Sequence, residues 1–172
     1  MPNIGGPKQP RRSLLASIVN SVILYGAPIW ADALTRNASF GAPCRRACRV
    51  AALRVARAYR TVSDVALSAI AGLPPIDLLA SERAEKYREA SRTEGEKQDS
   101  LGSRWAVNTY RQWQQRWDSA SEGRWTHRII PDISRWSSRK HGFTTFHLTQ
   151  VLTGHGCFRS YLYRIKTPKS IF

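Results

Sequence analysis

Between residues 44 and 60 the apolar and polar positions separate onto two sides of a helix. At about 100° per residue, Cys44, Ala47, Cys48, Ala51, Ala52, Val55, Ala58 and Tyr59 share one arc. Arg45, Arg46, Arg49, Arg57 and Arg60 share the opposite arc. The spacing predicts a helix that packs one face on a core and presents a row of guanidinium groups on the other. Residues 12–25 separate in a similar way. Ser13, Ser17, Asn20 and Ser21 cluster on one face, and Leu14, Leu15, Ile18, Val19, Val22 and Ile23 occupy the other. Gly26 and Pro28 then break the run. Residues 13–31 carry no charge and follow Arg11 and Arg12, the order found in signal peptides and membrane spans. The one-sided polar residues and the early break fit a buried amphipathic helix better than a span of about 20 apolar residues. No membrane partner is expected.

The remaining pattern is helical almost throughout, and the expected fold class is mainly α. Residues 1–10 are an irregular lead-in, rich in Pro and Gly. A short helix is expected near 29–37, and Gly41 and Pro43 open the arginine helix. Ser63 is a plausible N-cap for a helix ending at Gly72. Leu73-Pro74-Pro75 is a rigid break, followed by a charged helix from about Pro75 to Glu94. Gly95, Ser100 and Gly102 mark a hinge at 95–102, the candidate subdomain boundary. A helix from about Ser103 to Ala120 carries Tyr110, Trp113 and Trp117 at i, i+3 and i+7, an aromatic stripe. Thr144 or Thr145 caps a helix running to Thr153, and Phe158, Tyr161, Leu162 and Ile165 form a last amphipathic turn.

Charge changes this picture from a plain helical bundle to a surface for something anionic. The net charge is +15, from 27 Lys and Arg against 12 Asp and Glu. Between Arg36 and Arg60 there are seven arginines and no acid. Residues 82–99 hold six acids against five bases, whereas 124–172 hold nine bases against Asp132 alone. The basic charge therefore lies in two blocks. Nucleic acid is the expected partner class, and Arg favours it because its planar fork matches phosphate and keeps its charge. The alternative is a solvated basic face with no partner. Hydrophobic residues at 42% argue against wholesale disorder.

Six tryptophans are many for 172 residues. Trp105, Trp113, Trp117, Trp125 and Trp136 interleave with arginines, a composition suited to single strands, whose bases stack while their phosphates pair. Stripe spacing assigns Trp113 and Trp117 to a core. Trp125 and Trp136 lie in a basic stretch interrupted by Pro131 and fit either role. The candidate nucleic-acid contacts are Arg45, Arg46, Arg49, Arg57, Arg60, Arg124, Trp125, Arg128, Arg135 and Trp136.

Catalytic constellations are missing. Two-metal phosphoryl transfer needs clustered carboxylates, and no two aspartates are adjacent. The one mixed cluster with zinc-type ligands, His141, His147, His155 and Cys157, lacks tight spacing. No GxSxG elbow and no GxxxxGK[ST] loop occur. No catalytic residue, metal or cofactor is expected. Cys44 and Cys48 sit one helical turn apart, so a bridge between them would constrain nothing. With Cys157 they read as reduced thiols of an intracellular protein.

Six ordered segments carry a resemblance: MPNIGGP at 1–7, SVILYGAPIWA at 21–31, RAYRTVS at 57–63, AGLPPI at 71–76, GRWTHRIIP at 123–131 and LTGHGCF at 152–158. Together they resemble the Pol protein of non-LTR retrotransposons, in particular the type-1 retrotransposable elements of arthropod ribosomal RNA genes. The resemblance covers nearly the whole chain. It implies the region after the polymerase palm of an RNA-directed DNA polymerase: a thumb-like helical bundle at 1–94, then, past the hinge, a basic, Trp-rich, less regular region at 103–172. The family's paired catalytic aspartates would lie upstream, and its zinc knuckle would follow the Gly-His-Gly-Cys segment. The chain thus reads as a fragment, either a truncated element copy or a partial gene model starting at an internal methionine. The resemblance implies RNA or DNA as partner, the polymerase palm as a further partner, and the nucleus as the place of action, not secretion. A second function class stays open: an interaction or scaffold module without a nucleic-acid role, whose arginines pair with an acidic protein surface and whose helix 12–25 docks the palm. A third, an independent enzyme, is not expected.

Overall fold

The structure is a computed structural model that describes residues 6–92, 98–139, 142–156, 158 and 161–163. It is mainly α, and no strand occurs among the described residues. α1 runs Gln9–Ile23 with Pro10 in its first turn, where a missing N–H costs nothing. Gly26 takes a left-handed conformation and turns the chain into α2, Ala27–Arg36, at 91° to α1. No single helix among the described residues is long and apolar enough to cross a membrane.

The arginine helix, α3, spans Ala38–Ala56. It begins earlier than Gly41 and Pro43 suggest. The Asn37 side chain accepts from the Ser39 and Phe40 N–H groups at 2.9 and 3.2 Å, which fixes the start. Pro43 lies inside the helix. The helix also ends sooner than expected. Arg57 is left-handed at φ 57°, alone among the described non-glycine residues, so Arg57 and Arg60 lie off the helix.

α4, Asp64–Ala71, starts after Ser63 and ends at a left-handed Gly72, as the sequence suggests. Ser63 holds the capping position, but its hydroxyl accepts no N–H and is buried without a partner. α5 covers Ile76–Ala90 and α6 covers Gln98–Ser119. Of the expected hinge at 95–102, residues 95–97 lie outside the described residues and 98–102 belong to α6. Three short helices follow: α7 at Arg124–Ile129, α8 at Ile133–Ser137 and α9 at Phe146–Thr153. Thr145 caps α9 by accepting from the Leu148 N–H at 3.2 Å. Residues 161–163 are helical, while Ile165 of the last amphipathic turn lies outside the described residues.

α1 packs along α3, α2 along α5, α3 on α4, and α5 on α6. The larger core draws Val55 from α3, Leu67 and Ile70 from α4, Trp113 and Trp117 from α6, then Ile130, Ile133 and Leu152. Residues from both sides of 95–102 thus share one apolar interior. Trp113 and Trp117 are 1% and 0% exposed, as their stripe spacing implies. A smaller core joins Leu24, Ala27, Ala31 and Leu34 to Ile76, Ala80 and Ala84.

α1 is rotated from expectation: Ser17 and Ser21 are exposed and Ile23 packs on the smaller core, as the pattern implies, but much of the expected apolar face is not buried. Arg12, Ala16 and Leu24 are buried, while Leu14, Leu15, Ile18, Val22 and Tyr25 face outward with Ile29 of α2. Small and polar residues face α3, whose facing residues include Ala52 and Ala56. Two helices that meet through small residues approach closely, and Asn20 Oδ1 accepts from Cys48 Sγ at 3.6 Å across the contact. Leu14, Leu15, Ile18 and Val22 are left outside.

Gly123 joins α6, α7 and α4. Its φ is +68°, and a Cβ there would lie 3.0 Å from Ala66 Cβ and 3.2 Å from the Trp117 ring. A left-handed L-residue alone costs about 1–2 kcal/mol. Gly123→Ala is therefore expected to lower unfolding free energy by about 2 kcal/mol or more, read from urea midpoints. A change below about 0.5 kcal/mol would contradict this packing.

Candidate nucleic-acid interface

The arc of arginines read from the sequence divides in the structure. Arg45 and Arg46 stand exposed on α3. Arg49 does not. Its guanidinium donates to the Asp64 carboxylate, to the Arg60 carbonyl at 2.7 Å and to the Val62 carbonyl at 2.9 Å. The turn at Arg57 sends residues 58–63 back beside α3, which brings these acceptors to the Arg49 position. Arg49 is a clamp between α3 and the start of α4 rather than an open contact. The carbonyl of Arg60 is held by that clamp, and its side chain is exposed.

Arg57 is also tied down. Its Nη2 donates to the Pro7 carbonyl at 3.0 Å, and its Nε is buried without a partner. Arg12, 7% exposed, donates to the same Pro7 carbonyl at 2.7 Å and to the Arg54 carbonyl at 2.8 Å. Burial, and then the neighbouring charges of Arg57 and Arg54, pull the Arg12 pKa below its ordinary value. These arginines fasten residues 7–12 to the end of α3. Arg12 gave no signal in the pattern, because an arginine at a helix start reads as surface.

The second group is divided as well. Arg124 is exposed but donates to the Asp118 and Ala120 carbonyls at 3.1 and 3.3 Å, satisfying the end of α6. Trp125 is 52% exposed. Its Nε1 donates to the Val151 carbonyl at 2.9 Å, and its ring lies beside Gly154, where a Cβ would come within 3.2 Å. One edge is anchored and the rest is open to solvent. Arg128 on α7 and Arg135 on α8 are exposed. Trp136 is spoken for: its Nε1 donates to the Ile70 carbonyl at 3.2 Å, it packs on the larger core, and Arg139 lies over its ring at 3.5 Å from the centroid. A ring already covered by a guanidinium offers that face to no base.

Ion pairs take up several other cations. Arg116 pairs with Asp77, Arg88 with Asp32 and Arg104 with Glu89. His127 Nε2 lies 2.8 Å from Asp118 Oδ1, and that hydrogen bond is the main reason the Asp118 carboxyl sits below its usual range. Of the arginines expected to contact nucleic acid, Arg46, Arg60, Arg128 and Arg135 are exposed with neither a carboxylate nor a carbonyl partner for the side chain among the described residues. No group of three or more metal-ligating side chains occurs among the described residues. Of the zinc-type cluster, His141 and Cys157 lie outside them. His155 Nδ1 is 2.9 Å from the Thr153 carbonyl, and His147 is exposed. Cys48 is half-buried, and burial raises its pKa to about 11, so it stays a protonated thiol at neutral pH.

Replacing Arg49 with Ala leaves two backbone carbonyls short of a charged donor. Hydrogen bonds to charged groups are worth about 1.5–3 kcal/mol, whereas the Asp64 pair, on a 73% exposed carboxylate, adds at most about 1 kcal/mol. Arg49→Ala is expected to destabilise by about 2 kcal/mol in urea unfolding, and Arg46→Ala by less than about 0.5 kcal/mol. Equal effects would contradict the division of the arc.

No family model matches the chain. No solved structure matches it. It is 34% identical, over 176 aligned positions, to the 115 kDa protein in type-1 retrotransposable element R1DM of Drosophila melanogaster. The alignment covers 92% of this chain and 17% of that protein. The chain is thus similar, along nearly its whole length, to about a sixth of a retrotransposable-element protein, a likeness that supports a retrotransposon-related function.

Proposed function

We propose that the chain is a catalytically silent, nucleic-acid-gripping part of a retrotransposon RNA-directed DNA polymerase, the thumb and the region after it, acting in the nucleus. The observation that carries this reading is the exposure of Arg46, Arg60, Arg128 and Arg135, whose side chains have no partner among the described residues. Arg46 lies one turn from Arg49 on α3, and Arg60 lends its carbonyl to the Arg49 clamp. Arg128 and Arg135 extend from two consecutive short helices. Fixed guanidinium groups meet phosphate oxygens without reading sequence, which is what a template–primer or target-DNA grip requires. Trp125, half open beside Arg128, is the aromatic best placed to meet an unpaired base. The similarity to a retrotransposable-element protein supports the same reading.

Affinity for an RNA–DNA hybrid should fall steeply between about 50 and 200 mM salt, through counterion release. Replacing Arg46, Arg60 and Arg128 together with Ala is expected to weaken binding to all sequences alike. The slope of log affinity against log salt should drop by about three, one per lost contact. An unchanged slope, or loss of binding to some sequences only, would sink the proposal.

A specific observation favours a second reading, a protein-docking role. Val22 on α1 is 71% exposed and Ile29 on α2 is 90% exposed, with Leu14, Leu15 and Ile18 of α1 outward as well. Apolar side chains grouped in this way mark interaction surfaces. In the family reading the partner is the polymerase palm. Ile18→Glu with Val22→Glu should leave thermal stability nearly unchanged and abolish co-purification with a co-expressed palm. A variant that unfolds would show that this face is interior, and one that still co-purifies would remove the docking role.

A further inference from the structure

Among the tryptophans, Trp113 and Trp117 are buried, Trp30, Trp105 and Trp136 are half-buried, and Trp125 is exposed. Trp125 is nevertheless held at two points. Its Nε1 donates to the Val151 carbonyl of α9 at 2.9 Å. A Cβ at Gly154 would lie 3.2 Å from its Cδ1 and 3.5 Å from its Cγ, so the glycine backbone lies against the same five-membered half of the indole. Both anchors hold that half, and the residue remains 52% exposed. Its one polar atom is already satisfied. What the ring still offers is apolar, polarisable surface in a fixed orientation. A side chain ordered beforehand loses little conformational freedom when a ligand stacks on it.

The surroundings select the occupant. Helix spacing puts Arg128 and Ile129 beside Trp125 on α7, at i+3 and i+4. The Arg128 side chain is exposed with no partner among the described residues, and Ile129 is 42% exposed. α7 carries Arg124, His127 and Arg128 and no acid. The Asp118 carboxylate at the end of α6 is taken up by His127 and Gln114. An apolar side chain of a protein partner would use the ring and leave the guanidinium unmet. A bare phosphate would use the guanidinium and leave the ring unmet. A nucleotide out of its pair uses both, because its base has a π face for the indole and its phosphate a charge for the arginine.

We infer that Trp125 and Arg128 form a stacking site for one unpaired base, which makes nucleic acid with a single-stranded segment a better ligand of this chain than blunt duplex. The site rests on the nucleic-acid reading above and narrows it. The exposed arginines meet any phosphate backbone, whereas the ring meets only a base that is free of its own neighbours in a duplex.

The test uses the full-length chain and two RNA–DNA hybrids with the same duplex and the same phosphate count. One carries a single-stranded overhang of normal nucleotides, and the other an abasic overhang. Wild type should bind the first at least about fivefold more tightly, the low end for one base stacked on an aromatic ring. Trp125→Leu should lose that preference and hold the abasic-overhang hybrid as wild type does, while Trp125→Phe should keep part of it. Both variants lose the bond to Val151, so the difference between them reads the ring. Tryptophan fluorescence of wild type should be quenched by the base-containing overhang and not by the abasic one, and Trp125→Phe should lose that quench. Equal binding of the two hybrids by wild type overturns the stacking site and leaves the arginine grip standing. Failure to bind either hybrid removes the grip and the site together. A folded Trp125→Leu chain that keeps the full preference, or a quench that survives in Trp125→Phe, overturns the site and leaves the ring to a protein partner. Should Trp125→Leu unfold, the wild-type preference and the quench decide.

Discussion

The Arg49 clamp sets where the positive surface can be. One guanidinium reaches a carboxylate and two carbonyls in a turn that would otherwise leave the chain after α3 unsupported. Only a planar fork meets three such acceptors with fixed geometry, which lysine, with a single ammonium, does not reproduce. The ion pair itself is exposed and weak; the two carbonyl bonds carry the effect. The clamp holds residues 60–62 beside α3.

Charge is used in two ways in this chain. Arg12, Arg49, Arg57 and Arg124 spend their hydrogen bonds on backbone carbonyls, at turns and helix ends where no N–H is available. Arg46, Arg60, Arg128 and Arg135 stay in solvent. A net charge of +15 opposes compactness through self-repulsion. Turning several guanidiniums onto the backbone makes part of that excess structural. The remainder stays on the surface, where the proposed grip would use it.

Much of the fold was legible because its signals are local. The left-handed glycines at 72 and 154 end α4 and α9, Thr145 caps α9, and Trp113 with Trp117 follows the three-and-four spacing of a buried stripe. The orientation of α1 was not legible. A hydrophobic pattern shows that two faces differ, not which one meets the neighbour. Here the neighbour is α3, and close approach through Ala16 and Ala52 outweighed burial of the larger side chains. The site was half legible for a similar reason. Periodicity put five arginines on one arc by extending a helix through residue 60, but Arg57 took a left-handed conformation and ended it at Ala56. Trp136 could not be assigned because its partners, Ile70 and Arg139, depend on a fold that brings α8 onto α4.

The central claim, that one arc of arginines splits into an inward clamp and an outward grip, is tested most directly by arginine footprinting. The chain would be treated with a dicarbonyl reagent, with and without an RNA–DNA hybrid, and each site quantified by mass spectrometry. The account expects Arg46 and Arg60 to react rapidly in the free chain and to be protected by the hybrid, with Arg49 slow in both states. Rapid reaction at Arg49 in the free chain, or no protection of Arg46 and Arg60, would contradict it.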